Sequence, residues 1–198
     1  MKLVVIACNT LTVLGVDTLK GSHAFEIVGM SKGAQLVLAA SSRKKIGVFA
    51  TEFTINSGAH KAAILAADDG ADVYPQACPK FVPLIEGEQF DSAEVRAAVA
   101  EYAAPLKAAG IDTLILSCTH YPFIQKEIES EFGSEVTVID PADATAQDTK
   151  TVLAAEGLLR SEGAGTLEVC FTADVERGAR IAGRMLPQEK CRFKEIKL

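Results

Sequence analysis

Short apolar runs typical of β-strands alternate with segments of helical spacing along the whole chain. The strand-like runs lie at residues 3–7, 25–30, 45–50, 72–76, 114–117, 135–140, 167–172 and 191–197. Apolar residues three and four positions apart, which indicate helices, mark residues 11–19, 31–40, 57–67, 91–109, 122–132, 141–156 and 174–185. Strands that alternate with helices predict the α/β class with mainly parallel sheets. About eight strands of ordinary length suit two small sheets better than one.

Polar residues and glycines set several of the expected helix ends. Ser31 and Asp174 are expected N-caps, because their side-chain oxygens can accept hydrogen bonds from the first free backbone N–H groups of a helix. Gly110 and Gly133 are expected to end their helices, since glycine readily takes the left-handed conformation that often follows a helix.

Two of the strand-like runs end in a cysteine that polar side chains follow. Residues 3–7 lead to Cys8, and residues 114–117 lead to Cys118. The polar residues directly behind the two cysteines are Asn9, Thr10, Thr119 and His120. In α/β sheets, ligands bind at the carboxyl ends of strands. A lone cysteine there is most often a small buried apolar residue, but two in matching surroundings indicate reactive thiols.

Composition and charge argue against several classes of function. A formal net charge of −6 provides no basic surface for nucleic acid. No apolar run approaches the roughly 20 residues of a membrane span, and the N-terminus has no signal-peptide pattern. Five cysteines without a Cys-x-x-Cys pair predict free thiols in the reducing cytoplasm, and three scattered histidines argue against a zinc site. No phosphate-binding loop or pyridoxal-lysine context is present, so no cofactor is predicted.

The two cysteine segments resemble the signature motifs of a known enzyme family. Ala7-Cys8-Asn9-Thr10 and Ser117-Cys118-Thr119-His120-Tyr121-Pro122, in this order, are similar to the motifs of glutamate racemases. Further similar segments are 46–52, 56–59, 77–79, 81–86 and 140–146. The resemblance covers essentially the whole chain, with Ser117 standing where the family usually has glycine. Aspartate racemases share the two-cysteine plan but are less similar around Cys118.

The resemblance implies two small parallel-sheet α/β domains that face each other across the active site. Residues 1–30 plus 141–198 are expected to form what remains of the first domain, and residues 31–140 the second. The family has a further βαβ unit before its first cysteine motif, with an Asp-Ser-Gly loop and a Pro-Tyr-Gly loop. Neither loop is found in this sequence. An N-terminally truncated or mis-started racemase, with an incomplete first domain and little activity, is therefore expected.

The resemblance also assigns roles in a cofactor-independent interconversion of L- and D-glutamate. One thiolate removes the Cα proton and the other thiol returns a proton on the opposite face. Cys8 would act on D-glutamate and Cys118 on L-glutamate. His120 would exchange a proton with Cys118 or stabilise its charge. Glu86 resembles the acid that the family places near the second cysteine, and Glu52 is a weaker candidate.

Substrate binding is assigned to short polar side chains and to the backbone. Asn9, Thr10, Thr119 and the backbone of His120 are suited to hold the ammonium and carboxylate groups of glutamate. Other cysteines and histidines are interpreted as structural or as surface residues. They are Cys78, Cys170 and Cys191, read as structural, and His23 and His60, read as surface residues.

Three functions remain open from the sequence. The first is a cytoplasmic isomerase that supplies D-glutamate for peptidoglycan and is compatible with a homodimer. The second is a racemase of another amino acid, such as aspartate. The third is an inactive family member that acts only as a binding protein. No nucleic-acid or membrane partner is predicted.

Overall fold

The structure, a computed structural model, describes residues 1–19, 21–163, 165–186 and 191–197. These residues form two compact units, Met1–Leu159 and Arg160–Leu198. Every strand pair described is parallel, which confirms the predicted α/β class with parallel sheets. The division into domains 1–30 plus 141–198 and 31–140 stays a prediction. No described helix is long and apolar enough to cross a membrane.

The strands lie close to the predicted apolar runs. They are β1 (Leu3–Ile6), β2 (Glu26–Gly29), β3 (Lys45–Ala50), β4 (Asp72–Ala77), β5 (Thr113–Ser117), β6 (Thr137–Ile139), β7 (Leu167–Phe171) and β8 (Cys191–Glu195). The helices are α1 (Asn9–Leu19), α2 (Ala34–Ala40), α3 (Glu52–Asn56), α4 (Ala59–Ala67), α5 (Phe81–Glu86), α6 (Ala93–Ala109), α7 (Gln125–Phe132), α8 (Ala142–Ala155) and α9 (Val175–Ala182). Two 3₁₀ turns, Tyr121–Ile124 and Gly133–Glu135, flank α7.

The first unit is built around a four-stranded sheet with the order β4-β3-β5-β6. Every residue of β5 is buried, as expected for an inner parallel strand covered on both faces. Ala50 pairs with Ala77 on one side and with Ser117 on the other, so three strands end at the same level. This register places the residues that follow β3 and β5 along one edge of the sheet.

The opposite edge of this sheet is held by a buried carboxylate. Asp112 accepts hydrogen bonds from the hydroxyls of Ser41 (2.5 Å) and Ser42 (3.2 Å) and from the Arg43 backbone N–H (2.7 Å). Burial acts to raise the pKa of Asp112, but these donors outweigh it and leave that pKa below its usual value. The loop before β3 is thereby fixed to the residue that precedes β5.

β1 and β2 form a separate two-stranded sheet. Among the described residues β1 pairs only with β2, and the apolar side chain of Val5 is 38% exposed. In the second unit, β7 and β8 pair in parallel beside α9. Asp174 caps α9 by accepting a hydrogen bond from the Arg177 N–H, which confirms the predicted N-cap.

The predicted start of α2 was wrong. Ser31 does not cap this helix; Gly33 does, in the left-handed conformation with φ of 62°. A Cβ at Gly33 would lie 2.3 Å from Cδ1 of Ile115, so only glycine fits against β5 here. Ser31 instead accepts a hydrogen bond from the Gly33 N–H. This tertiary contact could not be read from local sequence spacing.

Candidate active site

The carboxyl ends of three strands supply the side chains of the candidate site. Cys118 directly follows β5, and Cys8 follows β1. Cys118 is only 9% exposed, whereas Cys8 is half-buried. The segment that carries Cys8 reaches the end of β5, because Thr10 lies 2.9 Å from Thr51, which directly follows Ala50, the register partner of Ser117. The fold therefore brings together two cysteine segments that are far apart in the sequence.

Burial is the main reason why the pKa of the Cys118 thiol lies above its usual value. The backbone N–H groups of His120 and Tyr121 act in the opposite direction, because they can donate hydrogen bonds to a thiolate. Cys118 is thus a protonated thiol at rest, with donors already in place for its charged form. Such a group needs a neighbouring base to lose its proton.

His120 and Glu86 form a pair beside Cys118. Nε2 of His120 lies 2.7 Å from Oε1 of Glu86, and Nδ1 lies 4.0 Å from Sγ of Cys118. Because an ionised carboxylate can only accept, the hydrogen in this pair belongs to Nε2. In the neutral imidazole, the lone pair of Nδ1 then faces the Cys118 thiol. This arrangement can take a proton from Cys118 and return it.

Three threonine hydroxyls meet where α1 and α3 begin. Oγ1 of Thr10 lies 2.9 Å from Oγ1 of Thr51 and 3.2 Å from Oγ1 of Thr54. Thr51 also donates to Thr54 at 3.0 Å. Thr51 and Thr54 were missed as site residues from the sequence. The available signal was a threonine at the end of β3 that also caps the following helix.

The side-chain amide of Asn9, next to Cys8, carries an N–H donor without a hydrogen-bond partner among the described residues. Asn9 is the first residue of α1 and is buried. A buried amide without a partner is costly, so a site that supplies an acceptor to it would be stabilised. Thr119, beside Cys118, is exposed. Glu52 is exposed in the first turn of α3, where a carboxylate favours the helix N-terminus.

Among the remaining cysteines and histidines, one prediction was wrong. Cys78 follows β4 at the same edge of the sheet, where its N–H donates to the Ala50 carbonyl, but it is fully buried, and burial raises the pKa of its thiol far above its usual value. Cys170 and Cys191 belong to β7 and β8 of the second unit. His23 is exposed, as predicted. His60 was predicted at the surface, but it is 3% exposed, because it lies one turn before Ile64 on the inner face of α4.

The residues described contain no group of three or more His, Cys, Asp or Glu side chains arranged to hold a metal ion. The polar groups of the site are instead thiols, hydroxyls, an amide and the His120–Glu86 pair. These groups can hold a small charged molecule and move protons.

Comparison with known proteins gives a consistent result. The sequence profile described as Asp/Glu/Hydantoin racemase matches residues 1–149. A glutamate racemase from Lysinibacillus sphaericus is 40% identical over 160 residues, which is 80% of this chain and 60% of that relative. The chain spans between 56% and 62% of the length of the first three curated relatives it matches.

Solved structures agree with the sequence comparison. Glutamate racemase isoform RacE1 from Bacillus anthracis has a TM-score of 0.89 and 31% identity, and the alignment covers 100% of this chain and 74% of that one. The glutamate racemase from Francisella tularensis in complex with D-glutamate has a TM-score of 0.86 and 26% identity, covering 100% and 73% of the two chains.

Proposed function

We propose that this chain, which belongs to the Asp/Glu/Hydantoin racemase family, takes part in the interconversion of L- and D-glutamate by proton transfer at two thiols. The observation that carries the proposal is that the Cys8 segment, through Thr10 and Thr51, meets the sheet edge where Cys118 lies beside the His120–Glu86 pair. Relatives at about 40% identity are named glutamate racemases, which supports glutamate as the substrate.

The proposed reaction begins with activation of Cys118. Nδ1 of His120 accepts the thiol proton, and the resulting thiolate removes the Cα proton of L-glutamate. The electron pair of the broken C–H bond moves into the substrate carboxylate. Cys8, still protonated, delivers its proton to the opposite face and yields D-glutamate. The reverse direction begins with Cys8 as the base.

The polar side chains near the thiols are proposed to hold the substrate. Nδ2 of Asn9 can donate to a carboxylate, and the hydroxyls of Thr10, Thr51 and Thr54 can turn their hydrogens toward the same group. Thr119 is proposed to bind from the other strand. Neutral donors suit this task, because a fixed positive charge next to the carbanion would slow its reprotonation.

We extend the proposal to the cellular role. D-glutamate is proposed to supply peptidoglycan synthesis, as the resemblance to glutamate racemases implies. All five cysteines are free thiols, which supports a reducing compartment such as the cytoplasm.

The experiment that tests the proposal follows the Cα hydrogen of glutamate. The protein is incubated with L-glutamate in D₂O, the Cα–H signal is followed by NMR, and the optical activity by circular dichroism. Two bases predict that early D-glutamate carries deuterium while the remaining L-glutamate keeps hydrogen. A low wild-type rate is expected from the sequence, and Cys8→Ser and Cys118→Ser should each remove the exchange that remains, whereas Cys170→Ser, an exposed cysteine in the second unit, serves as the control.

The outcomes separate the alternatives. Unchanged turnover by Cys118→Ser would refute the two-thiol mechanism. Faster exchange with L-aspartate than with L-glutamate would favour an aspartate racemase. Saturable glutamate binding without any exchange would favour a binding protein.

A further inference from the structure

Tyr121 connects the segment that carries His120 to the segment that carries Glu86. It follows His120 directly and is fully buried. Its hydroxyl donates a hydrogen bond of 3.3 Å to the backbone carbonyl of Cys78, which lies just before α5. Glu86 is the last residue of α5. One hydrogen bond therefore ties the 3₁₀ turn after β5 to the start of the helix that presents the carboxylate.

The ring of Tyr121 makes a second contact with the same helix. It meets the ring of Phe81, the first residue of α5, at a centroid distance of 5.1 Å and an interplanar angle of 90°. Phe81 is also fully buried and packs in the same edge-to-face manner against Tyr102 of α6. The start of α5 is thus held between the His120 segment and α6.

The His120–Glu86 pair is too exposed to position itself. The side chains of His120 and Glu86 are 30% and 39% exposed. A side-chain hydrogen bond with that much solvent contact contributes about 1 kcal/mol, which does not fix two flexible side chains. A helix of six residues is also too short to be stable without packing. The geometry of the pair must therefore come from buried neighbours.

We propose that Tyr121 is a positioning residue that sets the distance between Glu86 and His120 by holding α5 against the turn after β5. Its consequence for catalysis rests on the proposed racemase function, whereas its consequence for the His120–Glu86 pair does not. If the hydroxyl is removed, the carbonyl of Cys78 keeps only the Phe81 N–H as a donor, and the hydrogen bond that joins the His120 segment to the residues before α5 is lost. The start of α5 can then shift relative to the turn after β5. The carboxylate then no longer fixes which nitrogen of His120 carries hydrogen.

The test compares two tyrosine hydroxyl deletions. Tyr121→Phe removes the hydrogen bond to the Cys78 carbonyl and keeps the ring contact with Phe81. Tyr74→Phe is the control, because it deletes the hydroxyl of a tyrosine in β4, which belongs neither to α5 nor to the turn after β5. The ¹⁵N signals of the His120 ring are recorded by NMR without substrate, and kcat and KM are measured with both glutamate enantiomers.

Tyr121→Phe should move the His120 ring signals and lower kcat about five- to tenfold, with KM changed by less than about twofold. Tyr74→Phe should leave the ring signals at their wild-type positions. Wild-type ring signals in a folded Tyr121→Phe protein would overturn the proposal. If Tyr121→Phe does not fold, Phe81→Leu tests the ring contact between Tyr121 and α5 instead. It should move the same signals, and unmoved signals would overturn the proposal equally. Absence of glutamate turnover in the wild-type protein would refute the proposed function alone, since the NMR comparison needs no substrate.

Discussion

Protonation of His60 is expected to destabilise this protein at acidic pH. His60 lies in the first turn of α4 with 3% of its surface exposed. Neither ring nitrogen has a hydrogen-bond partner among the described residues. Burial, assisted by the positive charge of Lys32, lowers the pKa of His60 to about 4 from its ordinary value of 6.5. The folded protein therefore holds this imidazole in its neutral form.

The sign and size of the effect follow from the two pKa values. Above pH 6.5 the imidazole is neutral in both the folded and the unfolded chain, so stability does not depend on His60. Between pH 6.5 and 4 only the unfolded chain binds the proton, and the free energy of unfolding falls by up to about 1.4 kcal/mol per pH unit. The loss attributable to His60 reaches about 3 kcal/mol at pH 4. For a protein of ordinary stability, this is a large fraction of the total.

Urea unfolding at several pH values, followed by circular dichroism, measures this loss. His60→Leu removes the titration and keeps an apolar side chain of similar size in the same place. The wild-type protein should lose about 3 kcal/mol relative to His60→Leu between pH 7 and pH 4, because other titrating groups affect both proteins alike. The exposed His23 provides the control, and His23→Gln should follow the wild-type curve. Parallel curves for wild type and His60→Leu would refute the assignment of a buried neutral imidazole.

Three further predictions concern the site and the fold. His120→Asn should lower kcat for L-glutamate by about 10²- to 10⁴-fold in steady-state assays. The value of kcat/KM must fall equally for both enantiomers, because the equilibrium constant between them is one. Unchanged kcat would exclude His120 as the proton acceptor. Asp112→Asn should reduce the free energy of unfolding by about 2–3 kcal/mol, because one of the two carboxylate oxygens that accept hydrogen bonds is lost. Asp148 is exposed, so Asp148→Asn should have almost no effect. Gly33→Ala should lower the free energy of unfolding by about 2–5 kcal/mol through backbone strain and a clash with Ile115. Gly58 has the same left-handed backbone but open space around it, so Gly58→Ala should lower this free energy by only about 1–2 kcal/mol. Equal losses would show that the clash at Gly33 is relieved at little cost.

Local sequence was sufficient to predict an element's position where the hydrophobic periodicity and the residues at its ends agree. β3 was predicted at residues 45–50 and lies at Lys45–Ala50, because a short apolar run before a helix has few alternatives. α6 was predicted to end at Gly110, and it does, with Gly110 in the left-handed conformation. The two cysteine motifs could also be recognised from sequence, since each is a contiguous pattern.

Side-chain neighbours across the fold required the tertiary structure. The contact of Thr10 with Thr51 and Thr54 depends on where α1 meets α3, and neither segment encodes this by itself. Gly33 fits the left-handed start of α2, where a Cβ would meet Ile115, and this contact spans 82 positions of sequence. The burial of His60 could in principle have been predicted, since His60 lies four residues before Ile64 on the same helix face. Whether a polar side chain on that face is buried depends, however, on what packs against the face.

The sequence thus determined which residues can carry proton chemistry, because side-chain type and strand-end position are local properties. The tertiary structure decided which of them act together. His120 faces Glu86 where α5 packs against the turn that follows β5, beside the buried ring and hydroxyl of Tyr121. Distances of this kind arise from packing among elements distant in sequence, and no pattern within a single segment contains them.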